Sequence, residues 1–157
     1  MPYYDRATEK TYYDTLYGPL TNVRVSHNAA PSIVNATATR MPFATETTDT
    51  LGEWNTTTYR FTAASAGWYL FQGNIQITHF TATAGDLYSA LYLNGAQVFQ
   101  HSFPVAVNST FKLPIHWIMY MAATDYAEIY GYVTNGTSNT MGSATEAAHN
   151  LQITRLR

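Results

Sequence analysis

Asn94-Gly95 sits between two runs of alternating apolar and polar residues, DLYSALYL before it and AQVFQH after it. A two-residue type I′ turn needs positive φ at both central positions, and Asn-Gly adopts that at little cost. The pair therefore predicts an antiparallel hairpin. The rest of the chain reads with the same period. NVRVSH alternates Val23 and Val25 with polar neighbours, and a turn at Asn28-Ala29-Ala30-Pro31 follows. SIVNATATRMPFAT and a loop through Asp49-Thr50-Leu51-Gly52 lead to a short strand, TTTYRFT, and a long one, AGWYLFQGNIQITHF. In the long strand Tyr69, Phe71, Ile75 and Ile77 face one way. Trp68, Leu70, Gln72, Asn74 and Gln76 face the other. FKLPIHWIMYM and DYAEIYGYVTNG come next, then a Gly/Ser/Asn/Thr loop over residues 135–145, then AHNLQITRLR as the last strand. No stretch sustains a helical period with caps. About eight to ten short strands between turn clusters predict an all-β, antiparallel sandwich of the jelly-roll type.

Composition sharpens the question of what the sandwich touches. The chain has 157 residues, which suits one domain. Its charged fraction is 11%, against about 25% in an ordinary soluble domain. From Phe61 through Phe111 the only Asp, Glu, Lys or Arg is Asp86. Hydrophobic residues make up 46%, so the chain is not a disordered polar segment. A surface poor in charge and rich in aromatics and Met is what an interface core looks like. One strand supports that reading directly. In Ile115-His116-Trp117-Ile118-Met119-Tyr120-Met121, Trp117, Met119 and Met121 share one face, yet Ile118 and Tyr120 occupy the other. An antiparallel strand of a lone sandwich should be wet on one side. Trp68 and Leu70 raise the same problem opposite Tyr69 and Phe71. The pattern predicts burial against copies of the same chain.

Residues 1–20 read differently. They hold Tyr3, Tyr4, Tyr12, Tyr13 and Tyr17 among mixed charges, closed by Gly18-Pro19. Tyrosine combines a large contact area with a polar tip, so the segment reads as a frayed terminus or as an arm that anchors on a partner.

Chemistry is sparse. No cysteine is present, which excludes disulfides, thiolate metal ligands and a thiol nucleophile. His27, His79, His101, His116 and His149 form no H-x-x-x-H or H-E-x-x-H pair and read as hydrogen-bonded structural residues. Glu46, Asp49 and Glu53 are the one acidic cluster, a solvated loop or at most a weak calcium site. No nucleophile elbow or phosphate loop occurs. The reading is of a non-enzyme with no catalytic residues, no metal and no cofactor. A net charge of -2 gives no case for nucleic acid or an anionic membrane as partner. The Tyr, Trp, Asn and Gln content suits sugar binding as well as plain β surface, so a host surface glycan is a conceivable partner with no localised site.

Several segments carry a family resemblance. Tyr59-Arg60-Phe61-Thr62-Ala63 followed by Ala66-Gly67-Trp68-Tyr69-Leu70-Phe71 resembles the globular heads of complement C1q and of tumour necrosis factor. Leu91-Tyr92-Leu93-Asn94-Gly95, Asp125-Tyr126-Ala127-Glu128-Ile129 and Leu151-Gln152-Ile153-Thr154-Arg155-Leu156 follow in the family's order and spacing. The opening Val23-Arg24-Val25-Ser26-His27-Asn28, with Thr37-Ala38-Thr39, Phe43 and Glu46-Thr47-Thr48-Asp49, is similar to a version common in bacteriophage structural proteins. The resemblance covers about residues 21–157. It implies a ten-strand jelly roll that forms a homotrimeric knob, with Trp68, Leu70, Trp117, Ile118, Met119, Tyr120 and Leu156 at the trimer interface. The collagen stalk of the complement proteins has no counterpart here, since the chain has no Gly-x-y repeat. Residues 1–20 are then the expected attachment arm and 21–157 the jelly-roll domain. The expected role is a virion structural protein, assembled in the host cytoplasm, that decorates a capsid as cement or head fibre. Its partners would be the major capsid protein or another virion protein. An arm of this length reaches roughly 60 Å if extended, which suits docking on a shell. The alternative is a receptor-binding tail fibre or spike knob for host attachment.

Overall fold

A computed structural model describes residues 20–27, 32–80, 84–107, 109–134, 138–141 and 149–156. Most of the expected arm, with Tyr3, Tyr4, Tyr12, Tyr13 and Tyr17, lies outside the described residues, as does the turn over residues 28–31. The described chain forms twelve strands. They are β1 (Asn22–Ser26), β2 (Thr39–Arg40), β3 (Thr45–Asp49), β4 (Trp54–Asn55), β5 (Arg60–Thr62) and β6 (Gly67–Phe80), then β7 (Gly85–Leu93), β8 (Ala96–Val105), β9 (Ser109–Met121), β10 (Tyr126–Val133), β11 (Ser138–Met141) and β12 (Asn150–Arg155). There is no helix among the described residues.

The strands form two antiparallel sheets of six. In the first, β9 pairs with β6 along nearly its whole length, so β12 and β11 share the other edge of β6 in tandem. β1 and then β3 continue beyond β12. In the second, β8, β7 and β10 lie side by side, with β5 and β2 in tandem on the far edge of β10 and β4 outside β5. β9 and β8 are thus the edge strands on one side of the sandwich. Pro114 interrupts β9 without breaking it, because an edge strand can spare an N–H. Its carbonyl accepts from the Ser89 hydroxyl at 2.7 Å, tying β9 to the second sheet.

Alternation places the core. Val23, Tyr69, Phe71, Ile75, Ile77, Leu113, Ile115, Trp117, Met119, Met121, Leu151 and Ile153 of the first sheet face Phe61, Leu87, Leu91, Ile129 and Val133 of the second. Each such side chain stabilises the fold by roughly 1.5–3 kcal/mol when it leaves water. The Phe61 ring meets Tyr69 and Phe71 edge-on at 5.4 and 5.9 Å. Gly73 is dictated by its neighbour, since a Cβ there would lie 2.1 Å from the Asn150 carbonyl oxygen of β12.

The Asn94-Gly95 hairpin forms as the sequence predicts, with φ of 50° and 82°. Two expectations need correction. TTTYRFT is a strand only over Arg60–Thr62. The residues before it turn, because the Asn55 side-chain oxygen accepts from the N–H groups of Thr57 and Thr58, and Tyr59 takes φ of 52°. Within the expected loop 135–145, Ser138–Met141 is a strand that pairs with β6.

Candidate self-association surface

The outward face of the first sheet is built by the even-numbered residues of β6 and β9. Across these strands Trp68 lies opposite Tyr120, Leu70 opposite Ile118, Gln72 opposite His116 and Gln76 opposite Lys112. The face is therefore graded, apolar at one end and polar at the other. At the apolar end Trp68 is 56% exposed, Ile118 50% and Tyr120 54%. The Trp68 and Tyr120 rings touch edge-on at 5.9 Å. Leu156, also exposed, is placed beside them by its N–H, which donates to the Trp68 carbonyl at 2.7 Å. Arg155 fixes that end of the chain by donating from Nη2 to the Ala66 carbonyl at 2.7 Å. Gly67 makes room for it, since a Cβ there would approach Arg155 Nε to 2.6 Å. Further along, the Gln72 amide donates to Gln152 of β12 at 3.1 Å, which begins the polar part of the face.

The seven residues expected at a trimer interface divide into two sets. Trp68, Leu70, Ile118, Tyr120 and Leu156 share this outer surface. Trp117 and Met119 do not, because they are one residue out of phase and point into the sandwich, each only 6% exposed. Their place is the monomer core.

A second apolar patch lies around the corner, on the edge formed by β8 and β9. A bulge in β8 between its pairings with Leu91 and Tyr92 leaves Val98 without a cross-strand partner, and Val98 and Phe99 are both exposed there. Behind them, His101 stacks on Trp117 at 4.9 Å, with the Phe99 ring parallel to Trp117 at 6.5 Å. Sequence reasoning missed this edge. The signal was the pair of adjacent apolar residues Val98-Phe99, which breaks the alternation where the bulge inserts.

Two members of the acidic cluster are engaged by their own surroundings. Asp49 accepts from the N–H groups of Leu51 and Trp54 and so shapes its own loop. Glu53 is buried, taking hydrogen bonds from the Thr21 hydroxyl and the Ala64 N–H, and burial pushes its carboxyl pKa up. Among the described residues no group of three His, Cys, Asp or Glu is placed to hold a metal. His27 and His149 are buried with ring centroids 6.0 Å apart, and His149 Nδ1 accepts from the Gln76 N–H at 3.2 Å. Burial lowers the His27 pKa.

No family model matches the chain, and no curated protein matches it. Solved structures do. The chain is similar to Eiger TNF from S. frugiperda, with a TM-score of 0.61 and 10% identity, over 88% of this chain and 94% of that one. It is similar to the globular domain of zebrafish complement 1qA protein, with a TM-score of 0.62 and 12% identity, over 87% of this chain and 98% of that one. Murine APRIL gives a TM-score of 0.62 at 8% identity, over 88% of this chain and 100% of that one. At such identities the likeness is one of fold, and the fold is the C1q/TNF-like jelly roll.

Proposed function

We propose that the chain is a non-enzymatic structural protein of a bacteriophage virion, a homotrimeric jelly-roll knob that decorates the capsid and docks through residues 1–20. The observation that carries self-association is the apolar end of the first sheet, where Trp68, Ile118, Tyr120 and Leu156 stand exposed together. A contiguous apolar patch of this kind marks an interaction surface. The β8–β9 edge supplies a second patch of different shape, so one copy's face can receive the next copy's edge. Such a heterologous contact closes into a ring when its rotation permits. The virion setting is supported by the resemblance of the segment from Val23 to Asp49 to bacteriophage structural proteins. A host-adsorption knob is the second reading, favoured by the tyrosines and amides on the outward face of the other sheet.

Light scattering tests the assembly. The expected mass is three times 17.5 kDa, with or without residues 1–20. A single-chain mass at all concentrations rejects the knob. Attachment is tested by adding purified chain to undecorated capsids. Binding that is lost with residues 1–20 supports docking through the arm, and binding to host cells in place of capsids supports adsorption.

A further inference from the structure

The second sheet carries an outward face unlike the first. On β10 the outward residues are Tyr126, Glu128, Tyr130 and Tyr132, and on β7 they include Tyr88 and Tyr92. The rings are held against one another. Tyr88 and Tyr132 stack at 4.4 Å with 7° between their planes, and Tyr92 and Tyr130 lie 4.2 Å apart. On β8 a chain of amides runs beside them. The Tyr92 hydroxyl donates to Gln97 at 3.2 Å, Gln97 donates to Gln100 at 2.8 Å, and Gln100 donates to the Ser102 hydroxyl.

One ionic cluster borders this platform. Glu128 is buried although its strand position points outward, because two guanidinium groups close over it. Arg60 reaches its Oε1 through Nε and Nη2 at 3.1 and 3.0 Å, and Arg40 reaches the same atom at 3.2 Å. Two cations on one carboxylate leave a residual positive charge at the β2–β5 side. The outward carboxylates nearby are committed or distant. Asp125 is held by the Asn94 amide and the Ala122 N–H. Asp86 lies beyond Tyr88, and its strand partner is Pro104, away from the arginines.

We propose that this face binds an acidic oligosaccharide, with sugar rings against the tyrosine platform and a carboxylate beside Arg40 and Arg60. Two features favour this occupant. Amides and phenols offer donors and acceptors together at fixed spacing, as a ring of sugar hydroxyls requires. Paired rings and linked amides are already ordered, so little freedom is lost on binding. The charge that remains on the arginine pair selects a carboxylate-bearing sugar over a neutral one. This goes beyond structural decoration and uses the opposite sheet from the self-association surface.

The test uses the full chain, with sialyllactose, a glucuronate-containing tetrasaccharide and lactose as probes, followed by NMR and calorimetry. The expected result is that an acidic sugar shifts the resonances of Tyr88, Tyr92, Tyr130 and Tyr132, and that lactose binds about tenfold more weakly. Which acidic sugar binds more tightly identifies the source of the carboxylate. Arg40→Gln should remove the preference for acid while leaving the lactose affinity in place. Because Arg40 also neutralises Glu128, Gln100→Ala serves as a second variant that touches only the amide chain, and it should weaken binding about threefold. Equal affinity for lactose, or shifts confined to the first sheet, would overturn the proposal. So would no binding at all. A monomeric chain that still binds the acidic sugar would reject the trimer and leave this site standing.

Discussion

Two buried titratable residues pull the pH dependence of stability in opposite directions. Burial raises the pKa of Glu53, so the folded chain keeps a proton there that the unfolded chain has released above about pH 4.3. Stability from this group is complete below that value and falls as pH rises through the raised one. Burial lowers the pKa of His27, partly offset by the Pro42 backbone, so the unfolded chain takes a proton below about pH 6.5 that the folded chain refuses. Stability from this group therefore rises with pH up to that value. Wherever both groups titrate, the two slopes oppose each other and flatten the native profile. Glu53→Gln keeps the oxygen that accepts from Ala64 and Thr21 and removes the charge. It should unmask the histidine, so that the urea midpoint climbs as pH rises toward about 6.5. His27→Gln should leave the carboxyl in charge and make the midpoint fall as pH rises above about 4.3. Parallel profiles for both variants would mean that neither group titrates differently on folding.

The Asn94-Gly95 hairpin shows how one element is locked by another. Asn94 takes φ of 50°, which asparagine tolerates better than most side chains. Its amide donates to Asp125 at 2.8 Å, and its oxygen accepts from the Tyr126 N–H at 3.0 Å, so the β7–β8 turn is pinned to the β9–β10 turn. The Asn94 bond, and then the Ala122 N–H, hold the Asp125 carboxyl pKa below its ordinary value. The stability this contributes is present above the unfolded pKa and is lost as pH falls through the folded one. Asn94→Ala and Asp125→Ala should each lower the melting temperature, and the double variant should lose less than their sum, because they break one shared contact. Additive losses would separate the two turns. The hairpin, β6 and β9 were legible in the sequence because each carries a strong local signal, a turn pair or a run in which apolar residues recur at nearly every second position. β11 was not, since SNTM has no apolar period and is a strand only through its pairing with β6. The turn at residues 56–59 was misread because its threonines look like strand formers, whereas the Asn55 side chain decides the backbone. The exposed Trp68, Ile118 and Tyr120 were readable as a second apolar face, whereas the Val98-Phe99 edge left only a fainter mark, one adjacent apolar pair where the β8 bulge inserts.

At the scale of the molecule, the two apolar patches decide between modes of association. A twofold face-to-face dimer would cover Trp68, Ile118 and Tyr120 and leave Val98 and Phe99 in water. A face-to-edge contact covers both patches, and repeated it closes a ring when the rotation permits. A stable interface of either kind must bury at least about 1,000 Å², so a charge at its centre should be decisive. Ile118→Asp places an unpaired carboxylate on the face, and burying it would cost several kcal/mol. Phe99→Asp does the same on the edge. Ile118 is half exposed in the single chain, so Ile118→Asp should fold with a nearly native melting temperature, whereas Phe99→Asp also gives up the ring's packing on Trp117 and should melt lower while still folding. In the face-to-edge ring, each variant alone should run as a monomer. Mixing them restores one contact, between the intact face of the Phe99→Asp chain and the intact edge of the Ile118→Asp chain. That contact cannot propagate, so the mixture should form a two-chain species and go no further. In the face-to-face arrangement Phe99→Asp would assemble unaided, and mixing would change nothing. Light scattering on three samples therefore separates the two geometries: the two-chain species identifies the face-to-edge contact, and a finite three-chain mass for the native protein shows that it closes.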